Sequence, residues 1–180
     1  MSDTLYDWLL RQNQMFENMR RLSKSVGAEV AQVACVTKEG YAWASPCVGT
    51  QCAVKPPQCE NEGKSIALAH THAHPKEETA FSAADYLYIL HKGMQAHCIV
   101  CTDGIVCEEV NWDAFKAKSE KERMRILTPL AEASTLEDRM LKKQLASKPY
   151  TSEQEQYWNK MYEFYTLASE NNLISKRLRN

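Results

Sequence analysis

The chain has 180 residues, with 22 Lys+Arg against 23 Asp+Glu and a formal net charge of -1. That length suits one domain with a real core plus an appendage, and the balanced charge supplies no basic field for nucleic acid or an anionic membrane. No stretch approaches the roughly 18 uninterrupted apolar residues of a spanning helix, and the first residues, with Asp3 and Asp7 and no unbroken apolar run, do not read as a secretory signal. A soluble, cytoplasmic protein is expected.

From Thr4 to about Ser25 the apolar residues Leu5, Trp8, Leu9, Phe16, Met19 and Leu22 recur at helical spacing and stop before Gly27, which predicts one amphipathic helix. Residues 29–37 and 41–48 are short apolar runs joined by Lys38-Glu39-Gly40, the pattern of a hairpin. Residues 49–64 hold two glycines and Pro56-Pro57 and read as a loop; residues 65–72 form the next strand. Residues 82–93 begin with a capping signature and end at Gly93, as a helix does. Two further apolar runs flank Thr102-Asp103-Gly104, predicting a second hairpin.

Beyond Asn111 the pattern is helical almost to the end. Pro129 and Pro149 are expected to divide it, with Ser134-x-x-Glu137 and Thr151-x-x-Gln154 as capping boxes. Trp158, Met161, Tyr165 and Ala168 define a packing stripe in the last helix. The expected architecture is therefore an α/β domain over 1–110, its sheet mixed and mostly antiparallel, followed by a helical extension over 111–180 packed on it.

Histidines alternate at 70, 72 and 74, followed by Pro75 and, further on, by Ser82-x-x-Asp85. Residues two apart on a strand share a face, so His72 and His74 present both imidazoles to one side. Two imidazoles, a carboxylate and an open position are a common catalytic zinc site, and Asp85, in the first turn of the next helix, is placed to supply the carboxylate. The spacing favours His72 and His74 as the ligand pair. His70 with His72 is the alternative register, which otherwise leaves His70 as a group supporting the ligands from behind, a substrate contact or a plain polar residue. Alone, Ser82-x-x-Asp85 reads as an ordinary helix cap.

Together, His72-x-His74-Pro75, six residues and Ser82-x-x-Asp85 resemble the metal signature of the JAMM (MPN-plus) metalloproteases, over roughly residues 20–110. The resemblance implies a JAMM/MPN-like fold with Zn2+ held by His72, His74 and Asp85. It also implies Glu29 as the general base, with Glu39 as its competitor, and Ser82 as the group that steadies the tetrahedral oxyanion. Such sites hydrolyse isopeptide or peptide bonds, typically at the C-terminus of a ubiquitin-like protein; a sulfur-carrier protein is a related substrate, and family members often elaborate the end of the domain for substrate or for dimerisation. Hydrolysis of a small-molecule amide or sulfur-containing metabolite is one alternative, and a non-catalytic interaction module is another.

His91 and His97 read as structural. The seven cysteines, at 35, 47, 52, 59, 98, 101 and 107, are an odd number in a chain able to bury its own core, which suits reduced thiols better than a disulfide framework. A second metal or cluster on them stays open, although Cys98 and Cys101 fall on opposite faces of a regular strand. The loop 47–59 reads as a flap beside the active site.

Overall fold

A polar interruption breaks the first amphipathic segment. In the computed structural model, which describes residues 4–49, 59, 63–72, 81–102 and 104–179 (side chains to 175), the expected single helix is two: α1, Leu5–Leu10, and α2, Asn13–Val26. Gln12 occupies the break. Its Nε2 donates to the Trp8 carbonyl at 3.1 Å, and its Oε1 accepts from Trp43 Nε1 at 3.1 Å. α2 ends as expected at Gly27, whose φ of 65° lets its N–H reach the Ser23 carbonyl.

The strands are β1 Val30–Thr37, β2 Gly40–Trp43, β3 Cys47–Val48, β4 Lys64–Thr71, β5 Ala96–Val100, β6 Ile105–Val110 and β7 Ile174–Arg179. The helices that follow α2 are α3 Ala83–Lys92, α4 Trp112–Lys116, α5 Glu120–Leu145 and α6 Thr151–Glu170. The sheet runs β2-β1-β4-β5-β6-β7, with β3 also on β1. It is mixed: β4 and β5 are parallel, whereas β1–β2, β1–β3, β1–β4 and β5–β6 are antiparallel. An α/β fold with a mixed sheet, flanking helices and a helical C-terminal region matches the coarse expectation.

Two compact units divide the chain. The first comprises 1–80, 92–109 and 176–180, and the second 81–91 and 110–175. The second unit takes α3 together with the C-terminal helices α4, α5 and α6.

In the first unit, Leu5, Leu9, Phe16 and Met19 pack on Val30, Ala34, Ala67, Ala69, Ala96, Cys98 and Val100. Alanines on the central strands let the helices approach the sheet closely, and Trp8, Phe16 and Trp43 close the end of this core with ring centroids 5.3 and 5.9 Å apart. Arg20 fastens α2 to the β5–β6 connection, donating to the Cys101 carbonyl at 2.7 Å and to that of Gly104 at 3.3 Å.

In the second unit α5 and α6 pack together, burying Ile126, Leu130, Ala133 and Leu136 from one and Tyr157, Met161, Phe164 and Ala168 from the other. The packing stripe of α6 is thus rotated from the expected one. Met161 and Ala168 are in it, while Trp158 and Tyr165 are only half-buried beside Tyr157 and Phe164.

Pro129 does not divide the helices; α5 runs through it. Proline sacrifices one helical hydrogen bond, and here its ring is buried among the residues that pack on α6. Ser134-x-x-Glu137 is accordingly mid-helix, and α6 starts without a side-chain cap from Tyr150. The capping box of this region is Ser119 with Glu122 at the start of α5. β7, Ile174–Arg179, is a strand where the sequence pattern predicts helix almost to the end.

The cysteines correct the reduced-thiol expectation: Cys35 pairs with Cys59, and Cys98 with Cys107. Cys98 and Cys107 are register partners on adjacent antiparallel strands, so their side chains meet on one face. Cys47 and Cys101 are outside these disulfides; Cys52, most of the expected flap and Asp103 of the second hairpin tip lie outside the described residues.

Candidate functional site

β4 is a central strand with β1 on one side and β5 on the other. Its residues Ala67 and Ala69 face the α1–α2 core, so Leu68, His70 and His72 project from the other face. On β5, Leu68 pairs with His97, which places His97 diagonally beside His70 on that face.

The three imidazoles form a chain. His70 Nε2 and His72 Nε2 are 2.8 Å apart, and His70 Nδ1 and His97 Nε2 are also 2.8 Å apart. The ring centroids are separated by 4.8 and 4.7 Å. His70 is 5 % exposed and His97 1 % exposed, so both rings have left bulk water. His70 and His97 each offer a ring nitrogen to a group of side chains able to hold a metal ion.

Glu29 immediately precedes β1 and is half-buried. Ala31 pairs with His70 at the last position of the antiparallel β1–β4 ladder, and the Glu29 carbonyl accepts from Gly49 N–H at 2.9 Å. The strands are held together there by Thr71, whose Oγ1 accepts from Val30 N–H at 2.9 Å and donates to Ser23 Oγ at 3.0 Å. Glu39 is exposed in the β1–β2 turn.

Ser82 and Asp85 belong to the second unit and form a reciprocal cap at the start of α3. Ser82 N–H donates to Asp85 Oδ2 at 2.8 Å, and Asp85 N–H to Ser82 Oγ at 3.1 Å. The capping alternative is therefore real, and it occupies one carboxylate oxygen of Asp85.

Three side chains from α5 and α6 hold this turn. Ala83 N–H donates to Glu137 Oε2 at 3.2 Å and to Tyr157 Oη at 3.1 Å. Tyr165 Oη donates to the Phe81 carbonyl at 3.1 Å. Burial pushes the Glu137 carboxyl up from 4.5 to about 6, with the nearby Asp85 charge adding to it, against the lowering effect of the Tyr157 and backbone hydrogen bonds. Tyr157 is also pushed far up, first by burial and then by the Glu137 charge.

The sequence-predicted residues thus fall into three groups. His70 and His72 adjoin at the end of β4, with Glu29 just ahead of β1; Ser82 and Asp85 form the α3 cap; His74 lies outside the described residues. Sequence reasoning missed His97, which it took as structural, and Glu137 and Tyr157, which it took as part of a cap and of a packing helix. The signal for His97 was its even spacing from Ile99 on a buried strand, where an imidazole needs a polar neighbour. A depression of about 370 Å³ lined by Asn13, Glu17, Arg20 and Gly104 contains none of the motif residues.

No family model matches the chain, and neither a curated protein nor a solved structure is similar to it. Among the described residues no helix is long and apolar enough to cross a membrane.

Proposed function

We propose that this protein is a zinc-dependent hydrolase with a JAMM/MPN-like domain, cleaving an isopeptide or peptide bond at the C-terminus of a ubiquitin-like or sulfur-carrier protein. The observation that carries the reading is the joint spacing of His72-x-His74-Pro75 and Ser82-x-x-Asp85. One local feature supports it: the neighbouring Nε2 atoms of His70 and His72 turn toward each other at the end of β4.

The donor set suits the metal. Neutral imidazole nitrogens and a carboxylate are ligands that zinc accepts in catalytic sites. In this reading His72 binds with either His74 or His70, and Asp85 completes the protein's share. Zinc, when bound, supplies a Lewis acid for the scissile carbonyl and brings the pKa of a coordinated water to near 7. Glu29 takes a proton from the attacking water and delivers it to the leaving amine, a task for which a carboxylate within hydrogen-bond reach is sufficient. Ser82 Oγ donates to the developing oxyanion, so this hydroxyl serves the cap and the reaction in turn.

Metal analysis combined with a fluorogenic amide at the C-terminus of a ubiquitin-like protein tests the proposal. His72→Ala should lose both zinc and hydrolysis. Glu29→Gln should keep zinc and lose about 10²–10⁴-fold in kcat, the range for a general base. An active Glu29→Gln enzyme refutes the base assignment, and wild-type protein that binds no zinc refutes the function, favouring a non-catalytic module.

A further inference from the structure

We infer that His97 is a positioning residue: it fixes the tautomer and orientation of His70 so that His70 Nε2, together with His72 Nε2, faces a metal ion. The inference rests on the zinc reading above and deepens it, because it makes His70 the partner of His72 and gives work to a histidine outside the motif.

The argument begins with the two nitrogens of one ring. His70 Nδ1 faces His97 Nε2 at 2.8 Å, and His70 Nε2 faces His72 Nε2 at 2.8 Å. A neutral imidazole carries one N–H and one lone pair. For Nε2 of His70 to offer its lone pair to a cation, the proton must sit on Nδ1, and it then donates to His97 Nε2. His97 must accordingly hold its own proton on Nδ1, so both its nitrogens are committed and it steadies His70 instead of supplying the ligand atom that its position beside His70 would also allow. Metal-ligating histidines commonly have their second ring nitrogen engaged in this way, which fixes the tautomer and raises ligand basicity.

Burial makes the arrangement durable. His97 is 1 % exposed on β5, a strand paired on both edges, by β4 and by β6. Its backbone is fixed by the parallel ladder with β4, the strand that carries His70. The ring therefore approaches His70 from a rigid element rather than from a loop, which is what a positioning group requires.

The test compares wild type, His97→Gln and His97→Leu, each stripped and titrated with Zn2+ against a chromophoric chelator, with Co2+ absorption spectra at saturation. Glutamine retains an acceptor for the His70 Nδ1–H, so His97→Gln should bind Zn2+ within a few-fold of wild type with an unchanged Co2+ spectrum. His97→Leu should bind about 10–100-fold more weakly. Long-range ¹⁵N–¹H spectra of zinc-loaded wild type, which need no variant to fold, should show His70 protonated on Nδ1. Equal affinity in His97→Leu and wild type, a His97→Gln spectrum shifted as for a lost ligand, or a His70 proton on Nε2 would each overturn the inference while leaving the zinc reading standing. Wild type that takes up no Zn2+ overturns both.

Discussion

Glu137 makes stability depend on pH in an unusual direction, and Glu137→Gln isolates that dependence. The carboxyl accepts from Ala83 N–H at the start of α3 and is held in a mostly buried position that raises its pKa from 4.5 to about 6. Because the folded protein holds this proton more tightly than the unfolded chain, the associated stability is fully present below pH 4.5. It is lost as pH rises through 6. The shift corresponds to about 2 kcal/mol, at 1.36 kcal/mol per pKa unit. Glutamine keeps the acceptor for Ala83 and cannot ionise. Urea unfolding of both proteins at intervals from pH 4 to pH 7.5 should show Glu137→Gln gaining about 2 kcal/mol on wild type across that range, the titrations of groups that do not interact with Glu137 cancelling in the difference. A difference that stays constant with pH, or that moves in wild type's favour, would refute the reasoning.

Three other outcomes follow from the packing and the disulfides. Phe164→Ala, which empties a fully buried position on α6, should cost about 3–5 kcal/mol, and Trp158→Ala clearly less; equal losses in urea titration would place the stripe where the raw periodicity put it. Ser119→Ala should cost about 0.5–2 kcal/mol through loss of the α5 capping box, whereas Ser134→Ala in mid-helix should change thermal stability little. The Cys98–Cys107 pair encloses a short loop, so its replacement by serines should cost about 2–3 kcal/mol in oxidised protein and almost nothing once wild type is reduced, as read by thermal melts with and without dithiothreitol.

The strands and α3 were legible because each carries its own local signal: apolar runs bounded by turn residues for β1, β4, β5 and β6, and Ser82 with Gly93 around α3. What failed was information held at a distance. Pro129 marks a helix break by local rules, yet the burial of its face against α6 outweighs the one lost hydrogen bond. The first helix broke because Gln12 satisfies backbone and indole groups that periodicity does not register. Cysteine pairing depends on strand register, which places Cys98 opposite Cys107. At the candidate site, the alternate histidines were evident from spacing, while His97 enters only through the parallel pairing of β4 with β5.

The meeting of Asn111 and Leu173 has a consequence for how the chain folds. Asn111 N–H donates to the Leu173 carbonyl at 2.8 Å, although α4, α5 and α6 all intervene. Closing so long a loop early would have to be met from chain entropy. Helical contacts between α5 and α6 are local and form quickly, and once made they bring the two ends of the segment together without a search. β7 is therefore expected to pair with β6 after α5 and α6 have docked, at little further entropic cost.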